Sequence, residues 1–568
     1  MLKNLPRDAI GTLDWSWPQF EMYYADLIRR PLKPENVSEF LTDWTALSEL
    51  VDETHSRLHV AITGNTADKW AETRYHRFLD EIYPMAEEAE QKLKTRLLAQ
   101  STVPEGFEIP LMKIRVDAEL FRQENLPLKT QEQKLCNQYD KIIGAQTVQW
   151  EGKEVTLVQL RPVFQSQDRE LRGQAWRLAS QRQLHDRKAV GDLWRRFMDL
   201  RVNMATNAGF SEYRSFRWKE FHRFDYGPED CKAFHKAIEE VVVPAAARVA
   251  EKRRKRLGVP ALRPWDMEVD PFGRPPLRPF KTVSELQNGV SSVFHRVDAR
   301  LASYFDTMVS EGLLDLDNRK NKAPGGYCTE FAAMKRPFIF MNAVGVHDDV
   351  QTLLHESGHA FHAFERNHLP YYQQRHVGME FSEVASMAME LLASPYLARE
   401  NGGFYDKADA ARALVEHLER SIRFWPYMAV VDAFQHWVYE NPGIAKDPSK
   451  CDDQWARLWN RFITWIDWTG LDEELMIGWQ LKLHIYTVPF YYVEYGLAQL
   501  GAVQVWGNAL KDQSAAVASY RAALALGVTV ALPQLFSRAG ARFAFDAATL
   551  KAAVDLMERT IESLEESA

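Results

Sequence analysis

Cysteine is scarce in this chain. Four occur in 568 residues, at positions 136, 231, 328 and 451, and none forms a Cys-x-x-Cys pair. That spacing excludes a disulfide scaffold and fits a reducing compartment. No apolar run approaches the ~20 residues that a membrane-spanning helix requires. No internal repeat or long low-complexity stretch occurs, so neither a repeat architecture nor a disordered tract is expected. An excess of positive charge is missing too. Lys and Arg number 70 against 78 Asp and Glu, a net charge of -8, which gives no reason to expect nucleic acid as a partner. The opening residues, Met1 to Asp8, lack the apolar stretch of a signal peptide. The expected setting is cytoplasmic, with no membrane partner.

Apolar residues, by contrast, make up 46% of the chain, ample for a sizeable core. Length alone suggests several domains. Charged and apolar residues alternate at helical spacing through about 35–98, 165–205 and 228–257, which predicts a mainly α fold. Two strand signals interrupt it. Gln149 to Val158 reads as a hairpin around Gly152, and Pro337 to Asn342 reads as a short buried strand. Val259 to Phe280 is rich in proline and reads as an extended connector. The basic run Lys252 to Arg256 reads as a solvated helix face. A division into residues 1–205 and 206–568, with interleaving allowed, is the expected domain organisation.

The stretch His355-Glu356-Ser357-Gly358-His359 carries the chemistry. Side chains four apart on a helix lie on one face, so His355 and His359 can offer two imidazole nitrogens to one metal ion. Glu356 beside them is placed to deprotonate water, which a zinc peptidase needs. Asp348 or Asp349 is the expected helix cap, and Val350, Leu353, Leu354 and Phe361 form an apolar stripe. The helix is expected to end near Asn367, before Pro370. Gly358 inside it costs about 1 kcal/mol relative to Ala. Close approach of another backbone or of substrate would compensate.

A third protein ligand is required. Position 362 is His, not the turning glycine of one zinc-peptidase pattern, so the chain stays helical there. The better candidates lie in Glu380 to Glu390. Glu383 and Glu390 are seven apart, on one face after two turns. One of them can bind metal while the other holds a ligand histidine through its second nitrogen. Glu380 is the nearest rival.

The run Asp349 to His362, followed by Phe381 to Ser386, resembles the oligoendopeptidase F and thimet oligopeptidase family of zinc peptidases, and most closely the bacterial oligoendopeptidase F branch. The resemblance is strong from about Lys322 to Leu500. It implies that His355, His359 and Glu383 bind one zinc ion per chain, that Glu356 is the general base and that Glu390 supports a ligand histidine. His362 matches the extended motif beside them. Two helical lobes flanking a deep substrate channel are implied, with small β elements near the zinc. Short unfolded peptides are the implied substrates, cut at internal bonds.

Two further segments matter to that chemistry. In His484 to Tyr495, an imidazole N–H or a tyrosine O–H can donate to a tetrahedral oxyanion. The family has a histidine followed by tyrosines here, two of them three apart, which fits Tyr492 and Tyr495. Val488-Pro489 departs from the glycine-rich thimet pattern, so Tyr486, Tyr491, Tyr492 and Tyr495 all stay candidates, Tyr486 and Tyr491 for substrate contact. In Ala323 to Cys328, Gly325 and Gly326 permit close backbone approach, and a strand edge can pair with an extended peptide. The resemblance adds Tyr327 to that substrate-contacting group. Two other readings compete: a helical zinc carboxypeptidase that trims one C-terminal residue, and a non-catalytic peptide-binding protein with a structural metal.

Overall fold

The computed structural model describes every residue except Met1, Lys3, Lys320, Pro324 and Ala568; Pro324, within the glycine-bearing segment discussed above, therefore lies outside the described residues. The chain is mainly α-helical with two small sheets. Among the described residues, no helix is long and apolar enough to cross a membrane.

Contacts divide the chain into two compact units, each assembled from separate stretches. One comprises residues 1–119, 277–413 and 498–543; the other comprises 120–276, 414–497 and 544–568. The boundary expected at residue 205 does not coincide with this division, because position 205 lies inside the helix Arg187–Asn207, within the second unit.

The hairpin in the second unit pairs β1 (Thr147–Trp150) with β2 (Lys153–Thr156) antiparallel. Glu151 and Gly152 both take positive φ, 49° and 77°, as a two-residue hairpin turn matched to strand twist demands. The core of this unit is aromatic. Trp479 stacks on Tyr486 at 5.9 Å, and Tyr486 stacks in turn on Tyr139 at 4.4 Å.

Two of the long helical stretches contain a single π-turn, Phe78–Ile82 and Ile238–Val242. Each ends two residues before a proline, Pro84 or Pro244. Proline has no N–H to return to the preceding turn and its ring crowds that carbonyl, so the helix widens locally instead of breaking. The basic run lies on the helix Val243–Leu257. Arg254 and Arg256 pair with Glu251 and Glu565. Arg253 departs from the solvated reading: it is buried and donates to the Asp266 and Val269 carbonyls, anchoring the proline-rich connector.

In the first unit, β5 (Arg336–Ala343) is the centre of a three-stranded sheet, with β3 (Leu314–Asp317) parallel on one side and β4 (Tyr327–Phe331) antiparallel on the other. Residues 337–341 are all buried, as a strand with neighbours on both edges requires. Pro337 stands where pairing to β3 has not begun, since that register starts at Ile339, so its missing N–H costs no ladder bond. The buried Lys322 amine ties the preceding loop down, donating to Asp315 Oδ1 at 2.9 Å and to the Asp317 and Met341 carbonyls.

β5 leads into the helix His347–Arg366, which carries the motif. Asp349 is not the cap residue itself. It sits in the first turn, and its Oδ2 accepts from the N–H groups of Val344, Gly345 and Val346 at 2.8, 2.8 and 3.0 Å. One carboxylate thus fixes the strand-to-helix turn and complements the helix dipole. Val350, Leu353, Leu354 and Phe361 are buried as expected, and Phe361 meets Phe294 edge-on at 4.8 Å.

Candidate metal centre

The motif helix packs against the helix Met379–Ala393, and Gly358 is the reason the two approach so closely. A Cβ at 358 would lie 2.4 Å from the Ala385 carbonyl oxygen and 2.6 Å from Ser386 Cα. No side chain fits there, so the cost of the glycine is offset by close helix–helix contact. Tyr520 donates to that same Ala385 carbonyl at 2.7 Å.

This approach brings Glu383 to the two histidines. His355 Nε2 and His359 Nε2 lie 3.4 and 3.7 Å from Glu383 Oε2. One donor atom from each of the three residues falls within 4.8 Å of the others, so the group can hold a metal ion. The imidazole rings are nearly perpendicular, at 82°. Glu390 lies on the other side of His355, where its Oε1 accepts from Nδ1 at 2.6 Å. That bond directs Nδ1 to Glu390 and turns Nε2 toward Glu383, where it can ligate a metal once it carries no proton. The two glutamates thus divide the two positions between them. Glu380 is outside the group, buried in the first turn of its helix.

Glu383 is itself held. Ser386 Oγ donates to Oε2 at 2.9 Å, one turn along the helix. Burial raises a carboxyl, but the His355 hydrogen bond and the charges of both histidines outweigh it, and Glu383 sits at about 2. At His355 burial is the largest influence and lowers the imidazole, yet the bonds to Glu383 and Glu390 together hold it well above the ordinary range. At His359 burial wins, and the ring is lowered to about 4. The cluster is not sealed: the His355 and His359 side chains keep 26% and 21% of their surface exposed, against 5% for Glu383.

Glu356 is buried beside His355. Burial pushes its carboxyl up to about 7, with Glu383 and Glu390 adding to the rise and His355 opposing it; the backbone N–H of Cys328 also favours the charged form. β4 therefore orients this carboxylate, a contact that sequence reading did not anticipate. His362 is buried against Phe381, edge-on at 6.2 Å, and its Nε2 has no hydrogen-bond partner among the described residues.

The glycine-bearing loop is pinned from β5, where Asn342 Nδ2 donates to the Ala323 and Gly325 carbonyls at 2.8 and 3.0 Å. Gly326 faces Thr352 of the motif helix, whose Cγ2 would be 3.4 Å from a Cβ there. The Tyr327 ring stacks on Phe340 at 4.8 Å and its hydroxyl shares a 2.6 Å hydrogen bond with Thr63.

His484 and the tyrosines belong to the second unit. His484 is ringed by Tyr492, Tyr491 and Tyr495 at centroid distances of 5.1, 5.8 and 5.9 Å. The left-handed turn before the helix Tyr492–Ala509 falls on Phe490, at φ 66°, just after Pro489. Its N–H is held by Gln435 at 2.7 Å and its carbonyl by Arg223 at 2.6 Å. Tyr486 does not suit the substrate-contacting role expected of it: it is fully buried in the aromatic core between Trp479 and Tyr139. Tyr492 is also buried, and its hydroxyl accepts from Lys482 at 2.9 Å. Tyr491 and Tyr495 stay half-buried, as does His484.

A model of peptidase family M3 matches residues 163–555. The chain belongs to peptidase family M3. Solved structures bear out the resemblance to oligoendopeptidase F. The chain superposes on PZ peptidase A, solved with an inhibitor, with a TM-score of 0.87 at 26% identity, covering 100% of this chain and 99% of that one. A putative oligoendopeptidase F gives 0.86 at 27% identity, covering 99% and 98%. One from Bacillus anthracis str. Ames gives 0.82 at 23% identity, covering 99% and 97%, and shares the fold. Among curated relatives, Oligopeptidase PepF of Bacillus subtilis (strain 168) is 24% identical over 276 residues, 47% of this chain and 40% of that protein's own length. The M3 match includes the motif helix, the Glu383 helix and the His484 segment.

Proposed function

We propose that this M3 chain is a zinc-dependent oligoendopeptidase that hydrolyses internal bonds of short unfolded peptides in the cytoplasm. The observation that carries the proposal is the convergence of two imidazole Nε2 atoms and one carboxylate, with Glu390 fixing the His355 tautomer and Glu356 alongside. Donors of two nitrogens and one oxygen suit zinc, and three protein ligands with partial exposure match a catalytic site more than a closed structural one. His355, His359 and Glu383 would hold the ion. When bound, zinc would polarise the scissile carbonyl and acidify water.

The chain's own residues supply the rest. Glu356 accepts a proton from water as its oxygen attacks the carbonyl carbon, then delivers that proton to the amine nitrogen as the C–N bond breaks. Glu390 keeps the proton of His355 on Nδ1 throughout. The role implied for His484 and the tyrosines is to donate to the developing oxyanion. Tyr491 and Tyr495, half-buried, suit it better than Tyr492, which is buried.

The test is mass-resolved cleavage of peptides of about 5–20 residues, before and after chelation and with zinc restored. Internal fragments lost on chelation and recovered with zinc support the proposal. Release of single C-terminal residues moves the assignment to a carboxypeptidase, and bound zinc without cleavage moves it to a binding protein.

A further inference from the structure

A second set of metal-ligating side chains lies wholly within the second unit, where the mechanism above makes no use of it. Cys231 and His235 are four apart on the helix Pro228–Ala237, and Asp432 and His436 are four apart on the helix Lys407–Glu440. Each pair therefore projects from one face of its helix. Cys231 Sγ, an Asp432 oxygen and a His436 nitrogen lie within 4.8 Å of one another, the same spacing as the first cluster. Cys231 and Asp432 are 0% exposed, and His436 and His235 are 2% and 4%.

Two buried atoms in this group lack partners. Asp432 Oδ2 accepts from His235 Nε2 at 2.8 Å, but Oδ1 has no hydrogen-bond partner among the described residues. His436 Nε2 lies 3.3 Å from Oδ2 without the alignment of a hydrogen bond. An unsatisfied carboxylate oxygen at zero exposure is left without compensation for its lost hydration. The His436 ring packs against the rings of Trp218 and Phe490.

We propose that Cys231, Asp432 and His436 form a second site for a thiophilic divalent cation such as zinc. Sulfur, oxygen and nitrogen donors at bonds of about 2.0–2.3 Å supply three corners of a tetrahedral set whose edges are roughly 3.3–3.8 Å, so the group closes on an ion with small side-chain movements. His235 orients the carboxylate through Oδ2 and leaves Oδ1 for the ion. Binding releases the Cys231 thiol proton. Arg214 donates to His436 Nδ1 at 3.3 Å, so the ring proton is on Nε2. Ligation moves that proton to Nδ1 and turns Arg214 away, toward Glu440, which already accepts from it at 2.5 Å. The ion would clamp the two helices of this unit and stabilise it by linkage.

The experiment uses the full chain carrying His355→Ala and His359→Ala, so that the first cluster cannot compete, stripped of metal and dialysed against zinc or cobalt(II). The site predicts one retained zinc per chain, a higher melting temperature with zinc and a near-ultraviolet thiolate-to-cobalt charge-transfer band. Adding Cys231→Ser removes the band, and adding Asp432→Asn, close in shape, weakens zinc binding by more than about 10-fold. If Cys231→Ser fails to fold, the Asp432→Asn affinity decides. No metal bound by the background chain overturns the proposal. So does a band that survives Cys231→Ser, or zinc affinity unchanged in Asp432→Asn.

Discussion

Glu390 Oε1 accepts from His355 Nδ1 at 2.6 Å, and this one bond decides which nitrogen of His355 faces Glu383. Removing the acceptor frees the ring to rotate and to carry its proton on Nε2. Glu390→Ala is expected to weaken zinc affinity about 10–100-fold while the fold is retained. Glu390→Gln, which keeps an acceptor oxygen, is expected to lose less. Zinc titration against a competing chelator checks both; equal affinity in Glu390→Ala and the parent would contradict the tautomer argument.

Gly358 and Ala385 are in backbone contact, so even a methyl group at 358 must push the helices apart. Gly358→Ala is expected to destabilise the chain by about 1–3 kcal/mol, in the range of an overpacked core. Because Ala385 and Ser386 share a turn with Glu383, zinc affinity should fall as well. Thermal unfolding with and without zinc measures the two effects. Unchanged melting would show that the helices separate freely there.

The metal-binding half of the first cluster was readable from periodicity alone. Four-residue spacing put His355 and His359 on one face, and a seven-residue spacing put Glu383 and Glu390 on another. Spacing did not divide the roles of the two glutamates; the family resemblance did. Contacts made across the chain left no local signature. Ser386 on Glu383, the Cys328 N–H on Glu356 and Tyr520 on the Ala385 carbonyl all depend on tertiary packing. Tyr486 was misread because an aromatic in a functional segment and one in a core look alike in sequence. Arg253 was misread because a run of cations hid one member on the buried face of its helix. The unit boundaries, unlike the interleaving that was allowed for, escaped for a simpler reason: no single composition break marks a chain that passes between units more than once.

Glu90 is surrounded by donors, with Trp44 Nε1 at 2.7 Å and Tyr24 O–H at 3.1 Å, yet burial pushes its carboxyl up to about 7. A carboxyl raised on folding contributes stability that is fully present below its unfolded value, near 4.3, and is lost as pH rises through the folded value. Stability should therefore decline between about pH 4 and pH 7 on account of this group. Glu90→Gln, uncharged at any pH, is expected to melt higher relative to the parent at pH 8 than at pH 5. Parallel melting curves across that range would contradict the assignment.

For the second unit, His484→Ala is expected to lower kcat by about 10²–10³, the usual loss on removing one oxyanion donor, with KM changed little. Tyr492→Phe should instead leave kcat close to the parent value, because that side chain is buried. Steady-state kinetics on one defined peptide separates them. A kcat loss confined to Tyr492→Phe would reverse the roles.

In the proposed mechanism Glu356 moves the proton while its neighbours hold the metal. Glu356→Gln, with zinc content and peptide turnover measured on the same preparation, separates the two roles. Zinc is expected at the parent stoichiometry, with kcat reduced by about 10²–10⁴. Turnover near the parent value with zinc in place would contradict it.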